Sequence, residues 1–209
     1  MSRFAYYEQM KTLARQIRLE HHLHTARVLR SDLRRLYRAY GIKIDLWPYK
    51  FRTLRGAYFD DDLGPTVVLA RRLPPEPMIF TMAHELKHHL VDRGLGLSYC
   101  DLSNAREPVE IGAEIFAAEL IFPEQDFVTC LRQMGIGPRQ CTPEVLVRLK
   151  QETETTLSYA GLAKRAEFLN FAPAGSLAKV QWKKLEEQLY GEPLYKRLLR
   201  YRQTNRARL

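Results

Sequence analysis

His84, Glu85 and His88 form an H-E-x-x-H run inside Thr81-Met82-Ala83-His84-Glu85-Leu86-Lys87-His88-His89-Leu90. On an α-helix, residues four apart share a face, so both imidazoles can reach one ion. Glu85 falls about 100° round the helix from His84, beside that ion, where a carboxylate can act as a base toward water. The chemistry available to such a set is metal-assisted hydrolysis. A catalytic zinc site takes three protein ligands and keeps one position open, so a third donor must come from elsewhere in the chain. The run Glu107-Pro108-Val109-Glu110-Ile111-Gly112-Ala113-Glu114-Ile115-Phe116-Ala117-Ala118-Glu119-Leu120 supplies two carboxylates, Glu110 and Glu114.

Two helices must position these groups. In the first, Ile79, Leu86 and Leu90 lie opposite the histidines, with Met82 and Ala83 flanking them, so one face buries while the other carries ligands. Pro77 suits its first turn and Gly94 its C-terminal cap. In the second, Pro108 suits the first turn, and Glu110 and Glu114 share a face with Ala113 and Ala117. The small alanines allow close approach to the first helix, while Phe116 and Leu120 turn to the core. The polar stretch 94–106 is long enough to reverse the chain. Glu110 is the expected third ligand. Glu114, one turn on, is expected to accept a hydrogen bond from a ligand histidine and fix its tautomer.

Upstream, Leu13, Ile17, Leu29, Leu33, Leu36 and Tyr40 recur at helical spacing until Gly41, and Ile42-Lys43-Ile44-Asp45-Leu46 then alternates as a strand. Short strands follow. Trp47, Tyr49 and Phe51 alternate, Gly56-Ala57-Tyr58-Phe59 runs into the acidic turn Asp60-Asp61-Asp62, and Thr66-Val67-Val68-Leu69-Ala70 reads as a buried strand. The edge strand of a sheet just before the H-E-x-x-H helix can pair with an extended peptide and hold its scissile bond at the ion.

The chain has 209 residues, 45% of them hydrophobic, enough for one full domain and a smaller appendage. No apolar run approaches the ~20 residues of a membrane span. Arg3, Glu8, Lys11 and Arg15 interrupt the N-terminus before any signal-like apolar stretch. Cys100, Cys130 and Cys141 form no C-x-x-C pair and read as free thiols in a reducing, cytoplasmic setting. The net charge of +9 points to acidic partners or nucleic acid. Arg27, Arg30, Arg34, Arg35 and Arg38 nevertheless read as a solvated helix face, which leaves nucleic acid a secondary role. His21, His22 and His24 include no i, i+4 pair and are expected at the surface.

Two linked runs resemble the ImmA/IrrE family of bacterial and phage metallo-endopeptidases. Phe80-Thr81-Met82-Ala83-His84-Glu85-Leu86-Lys87-His88 matches the family's F-T-x-A-H-E-x-x-H helix. Glu110-x-x-Ala113-Glu114-x-Phe116-Ala117-Ala118-Glu119-Leu120-Ile121-Phe122-Pro123 matches its E-x-x-A-N-x-F-A-x-x-L-x-x-P, except that Glu114 stands where the family usually has asparagine. Gly56-Ala57-Tyr58 fits as well, and the likeness covers residues 25 to 170. The resemblance implies a cytoplasmic protease with zinc (Zn2+) on His84, His88 and Glu110. It implies Glu85 as the base that takes a proton from water and passes it to the leaving amine. The implied substrate is a helix-turn-helix repressor of the XRE type, whose cutting releases genes of a mobile element or a stress response. A donor to the tetrahedral oxyanion is also needed; Tyr58 and Tyr99 are the candidates, and the sequence does not choose between them.

Downstream, Thr142-Pro143-Glu144 starts a helix through Val145, Leu146 and Leu149, and a second runs from Tyr159 to Leu169 with Ser158 as its cap. The pair resembles the helix-turn-helix of the same family. A DNA-reading second helix and a packing or substrate-docking unit both fit, and Leu162, Ala166 and Leu169 look buried. Pro173, Gly175 and Ser176 form a linker to a tail with Trp182, Leu185 and Leu189 on one face and a basic end of Lys196, Arg197, Arg200, Arg202, Arg206 and Arg208. The expected architecture is α+β. A mostly helical, zincin-like metallopeptidase domain with a small sheet beside the H-E-x-x-H helix spans 1–125. A helix-turn-helix-like unit spans 126–172, and a basic helical appendage spans 173–209. Two other readings keep the metal site: a DNA-binding regulator, or a toxin–antitoxin-type partner. A structural zinc site, however, usually closes with four ligands, often cysteines, and no fourth is evident.

Overall fold

The computed structural model describes residues 2–48, 55–93, 98–99, 107–193 and 196, of which 98–99 by backbone alone. Tyr49, Phe51, Gly94, Cys100 and the basic end from Arg197 to Arg208 lie outside the described residues, as does the side chain of Tyr99.

Helix α3, Pro75–Val91, is enclosed nearly all round. Met78, Ile79, Met82, Ala83 and Leu86 are buried, and so are Thr81, His84, Glu85, Lys87, His88 and His89. A helix buried on every side needs neighbours on every side. They are helices α2 (Arg30–Ala39) and α4 (Pro108–Ile121) and strands β2 (Gly56–Phe59) and β3 (Thr66–Ala70). The Tyr37 hydroxyl on α2 donates to the Met82 carbonyl at 2.7 Å, pinning α2 to the middle of α3. Helix α3 begins on prolines at its first turn and ends at Val91 with Asp92 as its C-cap, two residues before the expected Gly94.

The sheet has four strands in the order β1-β3-β2-β4, where β1 is Lys43–Trp47 and β4 is Ser98–Tyr99. Strand β1 runs parallel to β3, and β2 is antiparallel to both β3 and β4. In β3, Val67 and Leu69 are buried while Thr66, Val68 and Ala70 are half-buried, so this strand is covered on one face rather than two. Gly56 lies where β2 crosses α3: a Cβ there would stand 2.5 Å from Thr81 Cγ2 and 3.0 Å from Glu85 Oε1. Only a residue without a side chain lets the strand come this close.

Helix α1, Arg3–Glu20, is capped by the Ser2 hydroxyl and lies along α4. Gly112 of α4 admits the Tyr6 ring, which would be 2.7 Å from a Cβ at that position. Helix α4 has no basic residue in its last turn, and Arg18 of α1 supplies one from outside. Its guanidinium donates to the carbonyls of Leu120 at 2.7 Å and Ile121 at 3.3 Å, groups the helix end leaves without intrahelical partners. Helices α5 (Glu124–Gln133), α6 (Pro143–Thr153), α7 (Tyr159–Phe168) and α8 (Trp182–Tyr190) follow. One apolar cluster takes in Met10, Leu36, Met82, Phe116, Phe127, Leu146, Leu162 and Leu177, so the core continues across residues 125–126. Helix α8 has no fully buried residue and rests on α6, with Trp182 stacked on Tyr159 at 5.1 Å. Among the described residues, no helix is long and apolar enough to cross a membrane, and Cys130 and Cys141 are free thiols.

Candidate metal centre

Helices α3 and α4 are antiparallel where they meet, for Lys87 near the end of α3 donates to the carbonyl of Val109 at the start of α4. That packing brings the first turn of α4 against the H-E-x-x-H turn of α3. His84 Nε2 and His88 Nε2 stand 3.2 Å apart. Glu110 Oε2 lies 3.1 Å from His84 Nε2, and Glu110 Oε1 lies 3.7 Å from His88 Nε2. One ligand atom from each of the three residues falls within 4.8 Å of the others, and all three residues are buried. Two imidazole nitrogens and a carboxylate oxygen aimed at one point are a donor set for a divalent cation.

A metal-ligating histidine usually passes its other N–H to a carboxylate. Here His88 Nδ1 donates to Asp92 Oδ2 at 2.7 Å, so the neutral ring keeps its lone pair on Nε2. Asp92 takes a second bond on the same oxygen from Lys87 Nζ at 2.6 Å. The Lys87 side chain is fully buried, and its charge is balanced by Asp92. The expected partner, Glu114, does not take this role. One turn beyond Glu110 it has passed the histidines, is largely exposed and pairs with Lys164 at 3.4 Å. The sequence motifs do not point to Asp92, although its spacing, four residues after His88, is a usable signal.

Glu85 is 1% exposed, and its Oε2 is buried without a hydrogen-bond partner among the described residues. Burial raises its pKa, opposed by the nearby histidines and reinforced by Glu110. A buried carboxylate oxygen normally has a partner, so this orphaned atom beside three convergent donors fits a site made for an ion and a water. For His88, burial lowers the pKa, but the hydrogen bond to Asp92 and the nearby carboxylates of Glu110 and Glu85 outweigh it and hold the pKa at about 9.

Tyr58 is fully buried on β2, with its hydroxyl 3.0 Å from His89 Nδ1. Burial, with Asp60 nearby, pushes its pKa up to about 12. The hydroxyl is thus engaged with His89 and not with the donor cluster. Strand β4 covers the outer edge of β2, pairing Ala57 with Tyr99 and Tyr58 with Ser98. The edge strands of the sheet are therefore β1 and β4, not β2. Structure brings His84, Glu85, His88 and Glu110 together, sets the Tyr58 hydroxyl on His89, and puts Glu114 outside the cluster. Among the described residues this is the one group of three or more such side chains able to hold a metal, and His21, His22 and His24 form no second one.

Comparison with protein families gives a match to the Peptidase_M78 description, the IrrE N-terminal-like domain, over residues 38–158. That span holds β1, the rest of the sheet, α3 and α4, and all four clustered residues. No curated protein matches the chain.

Proposed function

The chain belongs to the ImmA/IrrE family of metallopeptidases, and from that premise we propose that it is a zinc-dependent endopeptidase that cuts a helix-turn-helix repressor of the XRE type. One observation carries the reading: Glu85 Oε2 is buried and unpartnered beside the converging donors of His84, His88 and Glu110. The two nitrogens and one oxygen would hold zinc and leave a coordination position open. Zinc bound there supplies a Lewis acid for the peptide carbonyl and makes water more acidic.

The remaining work falls to side chains of this chain. Glu85 accepts a proton at its unpartnered oxygen and returns it to the leaving amine nitrogen. Its raised pKa makes it a stronger base than an exposed carboxylate. Asp92 keeps the His88 proton on Nδ1 and so keeps Nε2 available. Lys87 holds Asp92 in place from the other side.

A second reading, a DNA-binding regulator with a retained metal site, has one observation in its favour: Arg30, Arg34, Arg35 and Arg38 are exposed along α2. One experiment separates the two. Zinc-loaded protein is incubated with an XRE-type repressor taken from the adjacent reading frame, with and without operator DNA, over a salt series. Proteolysis of free repressor, lost in Glu85→Gln, is the expected result. A protein that leaves the repressor intact but binds duplex with an affinity falling steeply in salt would be the regulator instead.

A further inference from the structure

A cavity of about 620 Å³ opens along the groove between α3 and α4, next to the donor cluster. Phe80 and Pro77 stand one and two turns before His84 on α3, and Glu114 and Ala118 stand one and two turns after Glu110 on α4. Since the two helices are antiparallel, both sets point the same way along the groove. The cavity therefore begins about one helical pitch, ~5.4 Å, from the donors. Helix α1 closes one side with Tyr7, and α7 closes the other with Ala160 and Gly161. Phe4 and Phe168 form part of the rim, each 72% exposed.

The charged residues lining the cavity balance in number, Lys11, Arg55, Lys164 and Arg165 against Glu8, Glu76, Glu114 and Glu124. Glu114 pairs with Lys164 at 3.4 Å, Glu76 with Lys150 at 2.9 Å, and Lys11 lies between Glu8 at 2.9 Å and Glu124 at 2.8 Å. A phosphate backbone would need cations to spare. An apolar pocket of this size with a balanced rim suits a neutral, apolar group. Helix α7 turns Ala160, Lys164 and Phe168 toward this cavity, so the exposed face of that helix looks into the groove.

We propose that the cavity is the specificity pocket of the endopeptidase, receiving a large apolar side chain of the substrate polypeptide close to the bond that is cut. The inference rests on the proteolytic reading above and adds a substrate class to it. The position of α7 follows: its outer face is a wall for the substrate.

The test uses the full zinc-loaded chain and a peptide library from a digested proteome, with cleavage sites read by mass spectrometry. Sites are expected to carry Phe, Leu, Met or Tyr at one fixed position beside the cut. Ala160→Trp fills the cavity from an exposed position. It should lower kcat/KM about tenfold or more for those peptides, change it less than about twofold for peptides with Gly or Ala there, and leave the zinc content unchanged. No fixed apolar position, or an unaltered pattern in Ala160→Trp, overturns the proposal. A second measurement does not need cleavage: N-acetyl-phenylalaninamide and N-acetyl-lysinamide are titrated while the Ala118 methyl resonance is followed. A saturable shift with the first ligand only, weakened in Ala160→Trp, upholds the pocket even if no peptide is cut, in which case the protease reading alone fails. Absence of any shift overturns the pocket.

Discussion

Helices α2 and α3 pack against each other, yet they relate polarity to burial in opposite ways. In α2 the buried residues are Leu33, Leu36 and Tyr37, and the arginines stay in solvent. In α3 His84, Glu85, Lys87 and His88 are as buried as Met82 and Leu86. Removing ionisable groups from water costs several kcal/mol each unless partners make it good. Asp92, Glu110 and the Val109 carbonyl offset much of that in α3, but among the described residues Glu85 Oε2 finds no hydrogen-bond partner. Helix α2 has the arrangement that folding alone favours. Helix α3 departs from it at five ionisable positions, two of them, His84 and His88, in one donor set with Glu110, and such departures belong to chemistry.

The comparison breaks first, and furthest, at the ligands. His84→Ala or His88→Ala should abolish stoichiometric zinc, measured by metal analysis, and take proteolysis to background. Next comes Asp92→Ala, which strands the buried Lys87 and frees the His88 ring. It should weaken zinc binding about 10- to 100-fold and lower unfolding stability by about 3–5 kcal/mol, read by calorimetric titration and denaturant melts. Glu114→Ala, exposed on the next turn of α4, should leave zinc affinity within about twofold; a loss matching that of Asp92→Ala would restore Glu114 to the role first expected of it.

A smaller effect appears with pH. In chelator-treated protein, His88 titrates near 9 when folded against 6.5 ordinarily. A raised folded-state pKa gives stability that is complete below about 6.5 and lost as pH rises through about 9. The melting temperature should fall across that window, and the fall should be weaker in Asp92→Asn. Neutralising Arg34 and Arg38 of α2 should do least, within about 0.5 kcal/mol and with no change in zinc affinity. A larger loss there would make α2 more than a packing element.

Much of this was legible in the sequence because it depends on local spacing. The recurrence of Leu33 and Leu36 among arginines marks α2, and β-branched residues mark Thr66–Ala70. The histidine pair needs only a helix to converge, and Glu110 needs one close helix neighbour. What was not legible depends on how helices end and cross. Asp92 stands four residues after His88, a spacing the sequence offers, but its burial against Lys87 follows only from how the end of α3 packs on the start of α4. Glu114 shares a face with Glu110, but antiparallel crossing carries it one turn past the histidines to Lys164. Lys87 would be assigned to the surface by its type, and only the nearness of Asp92 and Val109 explains its burial. Tyr58 faces α3 as strand alternation allows, but its partner His89 is set by where β2 crosses that helix.

The central claim is that Glu85 does the chemistry while His84, His88 and Glu110 hold the metal. It is tested most directly by comparing zinc-loaded Glu85→Gln with the wild type on the same repressor. About one zinc per chain in both proteins, with cleavage slowed about 10²- to 10⁴-fold in the variant, is the predicted result. A variant that cuts at the wild-type rate with its zinc in place would contradict the account.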